Sequence, residues 1–374
     1  MKVGVIGSGT MGHGIAEVVA IKKHSVVLID VDWKFLNNAK EKIYNSLTKL
    51  AQKGEIKDTP EEVMERIKLT LDYKELADAE LIIEAVPEKI EIKSDVFKKV
   101  DSIINNDTIL ASNTSSIPIS SIAEFTSRKE NVIGLHFFNP PPLMKLVEVV
   151  PSKFTSEEVV RRSVNIVSEL GKVPVKLRIE VPGFVSNRIF LRLLQEGCRE
   201  VENGEMRVEE LDSMLRHKVK LPMGIFELAD YTGIDVIVDI WNVIVSGGAD
   251  DVPCSLYREK IARGELGVKS GKGFYVYPAP GKFVKPELVP TSKGEPARFI
   301  SLAVNEAAWL VANYIVSKDD IDTVMKLGFN FPKGLFEMGN EFGFKSIIDN
   351  LVDIYTRGYS AYKPNEYLYN LVKD

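Results

Sequence analysis

The sequence holds only two cysteines, Cys198 and Cys254, and four histidines in 374 residues. Two cysteines allow one disulfide, but so sparse a count fits a reducing compartment better than a disulfide-stapled secreted domain. No apolar run is long enough to cross a bilayer. Met1-Lys2 leads straight into a strand pattern, without a charged n-region or an Arg/Ser-rich leader, so the expected location is cytoplasmic, with no membrane partner. An excess of positive charge is also missing: 48 Lys and Arg stand against 53 Asp and Glu, a formal net charge of −5. That balance argues against nucleic acid or an anionic membrane as the main partner, while a local basic patch for a phosphorylated ligand remains compatible with it. What is present is ordinary for a globular chain, 45% hydrophobic and 27% charged, and the length suggests two or three domains.

The first half alternates strand and helix patterns. Val3–Ile6 is a short apolar run, followed by Gly7-Ser8-Gly9-Thr10-Met11-Gly12 and a helical pattern from His13 to about Ile21. Strand, glycine turn and helix come in the order that dinucleotide binding requires. Gly7 permits the tight turn, Gly9 lets backbone approach a pyrophosphate, and Gly12 lets the helix pack on the strand. The next strand, Ser25–Ile29, ends at Asp30, an acidic side chain placed to accept hydrogen bonds from both ribose hydroxyls and to repel a 2′-phosphate. No arginine follows it, so NAD is favoured over NADP. Trp33 to about Gln52 is helical and basic (Lys34, Lys40, Lys42, Lys49, with Lys53 just after), usually a solvated face but also the first place to seek a docking surface for a ligand carrying phosphates.

Apolar segments recur at Ile67–Leu71, Leu81–Val86, Thr108–Ala111 and Val132–His136, alternating with helical stretches such as Lys89–Ile104 and Ile117–Phe125. This βαβ series implies a doubly wound, mostly parallel sheet, whose ligands sit beyond the carboxyl ends of the strands. Those ends carry Glu84-Ala85-Val86-Pro87-Glu88, Ser112-Asn113-Thr114-Ser115-Ser116 and His136-Phe137-Phe138-Asn139. His136 closes one apolar run, and twelve residues on, Glu148 sits inside another, Leu146–Val150. If the two runs are neighbours, Glu148 accepts a hydrogen bond from one ring nitrogen of His136, fixes its tautomer and leaves the other as a proton acceptor, a general base with its orienter. On these residues alone, a core histidine satisfied by backbone and a glutamate at a strand edge serve equally well.

From Val181-Pro182-Gly183-Phe184 onward helical periodicity dominates. A shift of 110 residues aligns Arg188–Asp239 with Arg298–Asp349 without a gap, pairing LPMGIFEL at 221–228 with FPKGLFEM at 331–338. The helical half is a tandem duplication. Between the copies lie the glycine-rich turn Lys269–Tyr275 and a linker-like stretch, Pro278–Pro296. Asn187, just before the first copy, is matched by Ala297 before the second, so the first copy is expected to contribute to the site and the second to be structural. The expected domains are 1–181, 182–287 and 288–374.

With GSGTMGHG, Asp30, EAVPE, SNTSS, HFFNPPPLMKLVEVV, PGFVSNR, LPMGIFELADYTG and KSGKGFYVY in order, the chain resembles the 3-hydroxyacyl-CoA dehydrogenases. The resemblance covers residues 1–277 and, through the repeat, most of the rest. It implies a Rossmann-like α/β domain followed by two tandem all-α domains, with NAD as cofactor and no metal. It implies His136 and Glu148 as the catalytic dyad, and Ser115 and Asn187 as residues that contact the substrate's oxygen functions and help position His136. Cofactor contacts carry over to Gly7, Gly9, Thr10, Met11, Gly12, Asp30, Glu88 and Lys93, with Asn113, Ser115 and Asn139 from the polar clusters. The implied reaction is reversible oxidation of an (S)-3-hydroxyacyl-CoA to the 3-ketoacyl-CoA by a monomer or homodimer. Two other readings remain: a β-hydroxyacid dehydrogenase acting on a non-CoA acid, which would generally rely on a catalytic lysine, and a non-catalytic NAD-binding structural protein, disfavoured because all four chemical positions are present.

Overall fold

Short runs of β-branched residues such as VGVI, SVVLI and LVEVV are buried on both faces, as strands covered by helices on either side must be. In a computed structural model that describes residues 1–372, they form one eight-stranded sheet. The strands are β1 (Lys2–Ile6), β2 (Ser25–Ile29), β3 (Ile67–Thr70), β4 (Leu81–Glu84), β5 (Ile109–Ser112), β6 (Val132–Phe137), β7 (Leu146–Pro151) and β8 (Val173–Lys176), in the order β3-β2-β1-β4-β5-β6-β7-β8. All neighbours are parallel except β6 and β7, which are antiparallel. The covering helices are α1 (Thr10–Ile21), α2 (Trp33–Gln52), α3 (Pro60–Met64), α4 (Ile90–Asp101), α5 (Ile119–Ala123) and α6 (Glu157–Glu169). The stretch Ile117–Phe125, expected to be one helix, keeps only α5, because Pro118 stands at its N-cap and the backbone amides of Ser116 and Ile117 in the preceding turn donate to the Thr114 hydroxyl oxygen.

The chain divides into two compact units at Glu180 and Val181, and the second holds both copies of the repeat. The first copy is α7 (Ser186–Glu202), α8 (Val208–Met214), α9 (Ile225–Thr232), α10 (Ile234–Ser246) and α11 (Leu256–Ala262); the second is α12 (Pro296–Ala312), α13 (Lys318–Gly328), α14 (Leu335–Phe342), α15 (Phe344–Thr356) and α16 (Glu366–Leu371). All five helix starts are displaced by 110 residues, so the repeat runs past Asp349 to the last helix, further than residue identities show. Packing is shared across the copies, α12 lying along α7 with α14 and α15 against it.

The turn Lys269–Tyr275 braces the first copy. Asp230 accepts from the backbone of Phe274 and Tyr275 and from the Tyr277 hydroxyl, while Asp212 accepts from the Tyr275 hydroxyl and the first amides of α9, each at 2.8–3.0 Å. The stretch read as a linker is a fastened strap: Ser213, Arg216 and Lys218 donate to the carbonyls of Val289, Pro286 and Ser292 through Gly294. The expected boundary at 287/288 falls inside it. Cys198 and Cys254 form a disulfide with Cα atoms 6.0 Å apart, so their small number does not by itself mark a reducing compartment. Among the described residues no helix is long and apolar enough to cross a membrane.

Candidate active site

The glycine turn joins β1 to α1 where the strand order reverses, between β2 and β4, the point at which such sheets leave a crevice. Gly7 has φ +94°, and a Cβ there would press on the Ala85 carbonyl; a Cβ on Gly12 would overlap the carbonyl of Gly7. A Cβ on Gly9 would meet nothing within 4 Å. The fold needs the first and third glycines, whereas the second leaves bare backbone open to a ligand. Thr10 and Met11 start α1, whose first turn carries no acidic residue, so its amide dipoles favour an anion. Asp30, one residue past β2, accepts from the backbone and hydroxyl of Ser8 at 2.7 and 2.6 Å and from Val31 N at 2.7 Å. An anion-binding turn with a carboxylate fixed beside it fits a dinucleotide.

The ends of β4 and β5 are stitched together by carboxylates. Glu84, buried at the end of β4, accepts from Val86 N, the Lys93 ammonium and the Ser112 hydroxyl at 2.8, 2.7 and 2.6 Å. Glu88 accepts from the hydroxyls of Thr114 and Ser116 and from the backbone of Ser115 and Ser116, and pairs with Lys93 at 3.1 Å. Burial alone would raise the Glu88 carboxyl, but Lys93 and the hydroxyls outweigh it and hold it below its usual range. Lys93 is 1% exposed and Glu88 36%, so Glu88 is the member presented outward, with Lys93 as its internal counter-charge. The side-chain oxygen of Asn113 accepts from Phe137 N at 2.9 Å, tying β5 to β6. Glu84, Ser112, Thr114 and Ser116 were not foreseen as supports; the signal was a carboxylate at the end of the apolar run LIIE, akin to Glu148 within LVEVV.

His136 on β6 stands directly opposite Glu148 on antiparallel β7. Opposed residues in such a pair share a face of the sheet, with Cβ atoms about 5 Å apart, which brings imidazole and carboxylate within reach. His136 Nδ1 lies 2.7 Å from Glu148 Oε2, and Glu148 is fully buried. The Phe138 ring packs on the imidazole at 4.8 Å between centroids. With Nδ1 protonated toward the carboxylate, Nε2 is the basic nitrogen.

The loop after β6 begins with Asn139, exposed before a cis bond to Pro140. Its return is clamped by Lys172, a residue the sequence did not single out, whose ammonium donates to the carbonyls of Pro141 and Met144 at 2.5 and 2.8 Å. Burial, with Lys22 nearby, lowers Lys172 to about 8. On the other side the loop rests on α1, where a Cβ on Gly14 would strike Pro141. The structure thus joins His136 to Glu148, gathers Asn113, Ser115, Glu88 and Lys93 into one network, and sets the glycine turn beside Asp30. Asn187 belongs to the second unit, in the first turn of α7, and is the only residue from Gly183 to Glu200 that is not buried.

The family model of the 3-hydroxyacyl-CoA dehydrogenase NAD-binding domain matches residues 2–180, and that of the C-terminal domain matches residues 183–277 and again 297–374. A probable 3-hydroxybutyryl-CoA dehydrogenase of Deinococcus radiodurans is 43% identical over 279 residues, covering 74% of this chain and all of that one. The human mitochondrial hydroxyacyl-coenzyme A dehydrogenase is 38% identical over 283 residues, covering 73% and 90%. The crystal structure of 3-hydroxybutyryl-CoA dehydrogenase from Escherichia coli K12 superposes with a TM-score of 0.90 at 28% identity, over 100% of this chain and 98% of that one.

Proposed function

The chain belongs to the 3-hydroxyacyl-CoA dehydrogenase family and oxidises 3-hydroxyacyl-CoA esters with NAD, and from that premise we propose the part each residue plays. The 2.7 Å bond between His136 and Glu148 across β6 and β7 carries the reading. His136 Nε2 takes the proton of the substrate's 3-hydroxyl, and Glu148 holds the ring in the right tautomer and stabilises the imidazolium that forms. General-base assistance of this kind is worth about 10²–10⁴ in rate. In the reverse direction the imidazolium returns the proton to the 3-keto oxygen.

The Gly7–Gly12 turn and Asp30 hold NAD, aided by Glu88 with its counter-charge Lys93 and by Asn113, Ser115 and Asn139. NAD held there would supply the acceptor for the hydride that leaves C3 of the substrate. Ser115 and Asn187 contact the substrate's oxygen functions and help position His136. The exposed lysines of α2, Lys34, Lys40, Lys42 and Lys49, with Lys53 beyond its end, supply the charge to dock the phosphates of coenzyme A. Residues 1–181 form the cofactor domain, 182–287 the substrate-contributing helical domain and 288–374 its copy. The cytoplasm, where NAD and CoA esters are both held, is the compartment this reading implies.

The test is oxidation of NADH with acetoacetyl-CoA against free acetoacetate. Turnover confined to the CoA ester supports the assignment; equal rates would favour a dehydrogenase of free hydroxyacids.

A further inference from the structure

Helix α7 is buried along almost its whole length, yet carries Arg188, Arg192, Glu196, Arg199 and Glu200 at helical spacing. Buried charges need partners, and those of the two arginines nearest Asn187 come from the other copy. Glu306, on α12, accepts from Arg188 Nε at 2.6 Å through one oxygen and from Arg192 Nε at 2.8 Å through the other. The Arg188 guanidinium also lies 4.5 Å from the ring centre of Trp309, one turn along α12, and donates to the Pro182 carbonyl at 3.4 Å. Arg192 donates further to Gln195 and to the Asp250 carbonyl. Burial would raise the Glu306 carboxyl, but the two arginines hold it below its usual range, so it stays charged.

The duplication supplies an internal comparison. Displaced by 110 residues, Arg188 becomes Arg298 and Glu306 becomes Glu196, so a faithful copy would hold a second pair, Arg298 with Glu196. That pair is absent. Glu196 is occupied by Arg199, at 2.7 and 3.1 Å, and by the Tyr362 hydroxyl, while Arg298 turns to Asp353 at 3.1 Å and lies 3.6 Å from Glu205. The position matching Trp309 is Arg199, and the position matching Asn187 is Ala297. The ion pair survives only on the helix whose first turn bears the asparagine. An arginine in the first turn also opposes the helix dipole, and Val185 at the N-cap has no side-chain oxygen to cap it. The ties of Arg188 to Glu306, to Trp309 and to the Pro182 carbonyl therefore contribute to the orientation of that turn.

We propose that Glu306 of the second copy is a positioning residue for the reaction: through Arg188 and Arg192 it fixes the first turn of α7, and with it the placement of Asn187. This rests on Asn187 meeting the substrate, as proposed above. The second copy then does more than cover an apolar face; it reaches the reaction at second hand.

The test compares the full chain with Glu306→Gln, Asn187→Ala, the double variant and Glu196→Gln, reading kcat and KM for acetoacetyl-CoA, NADH affinity by fluorescence, and the melting curve. Misplacing a substrate-contacting group by about an ångström costs up to roughly a hundredfold in rate. Glu306→Gln should accordingly lose about tenfold or more in kcat with NADH affinity unchanged, and the double variant should be no slower than Asn187→Ala. Glu196→Gln, which strips a carboxylate equally buried on α7, should lower the melting temperature and leave kcat alone. A folded Glu306→Gln with parental kcat, an equal kcat loss in Glu196→Gln, or additive losses in the double variant would each overturn the proposal while leaving an impaired Asn187→Ala, and so the underlying reading, intact. Parental activity in Asn187→Ala would instead sink that reading and this proposal with it. Should Glu306→Gln fail to fold, Glu306→Asp keeps the charge but draws the carboxylate back by one methylene from Arg188 and Arg192: a lowered kcat with NADH affinity unchanged supports the proposal, a parental kcat overturns it.

Discussion

Replacing Glu148 by Gln keeps the shape of the dyad and removes its charge. Glu148 is fully buried, with Oε2 2.7 Å from Nδ1 of His136. Once the imidazole takes a proton, two unit charges stand about 4 Å apart, an attraction of roughly 4 kcal/mol at an effective dielectric constant near 20. The glutamine carbonyl can still accept from Nδ1–H, which restores about 1 kcal/mol. About 3 kcal/mol remains, or roughly a hundredfold in kcat. The attraction exists only when the ring is charged, so it acts on the step and not on NADH affinity. Folding should not suffer, because a buried carboxylate is replaced by a neutral isostere. Initial rates of (S)-3-hydroxybutyryl-CoA oxidation at saturating NAD, the direction in which the imidazolium forms, give kcat, and fluorescence titration gives NADH affinity. A kcat within about threefold of the parent would refute the electrostatic role of Glu148.

Asp30→Ala should narrow the preference for NAD over NADP, since a carboxylate facing a 2′-phosphate at about 4 Å, half-screened by water, is worth roughly 2 kcal/mol or about thirtyfold in kcat/KM; comparable efficiency of the parent with both cofactors would refute the assignment. Glu17 on α1 is 1% exposed with one oxygen lacking a partner among the described residues, and burial raises it to about 7. The folded state therefore holds a proton that the unfolded chain releases near pH 4.5, and stability falls as pH rises from there to about 7, by roughly 3 kcal/mol at most. Glu17→Gln should flatten that decline and melt higher than the parent at pH 8; a parental pH profile would contradict it. Deleting residues from about 290 onward removes α12 and uncovers apolar surface along α7, including Phe190, whose ring packs on Phe329 of the second copy, so the truncated chain should dimerise or aggregate while the full chain can stand as a monomer. Light scattering after size-exclusion chromatography decides, and a soluble monomeric truncation would be the contrary result.

Much of the first unit was legible because its signals are local. A strand, a glycine turn and an acidic residue at the end of the next strand are set by sequence spacing, and the turn at Gly7 and Gly12 shows why. His136 and Glu148 were harder: their partnership depends on β7 running antiparallel beside β6, and nothing in either segment specifies strand direction. Supports brought from afar were not legible at all. Lys172 reaches the loop of Pro141 from 31 residues away, and Glu306 reaches Arg188 from 118. Isolated lysines and glutamates are ordinarily surface residues, and only the fold reveals which are buried. The repeat was traced to Asp349 by residue identities; its last helix, α16, shares little with α11 beyond Tyr257 and Tyr367 and emerged only from the displacement of helix starts.

The central claim, that His136 moves the proton, is tested most directly by His136→Gln in single-turnover oxidation of (S)-3-hydroxybutyryl-CoA with bound NAD, NADH affinity being followed alongside. The account predicts a rate lowered by about 10²–10⁴ with NADH affinity kept near the parental value. A variant that turns over within about threefold of the parent would place the general base elsewhere.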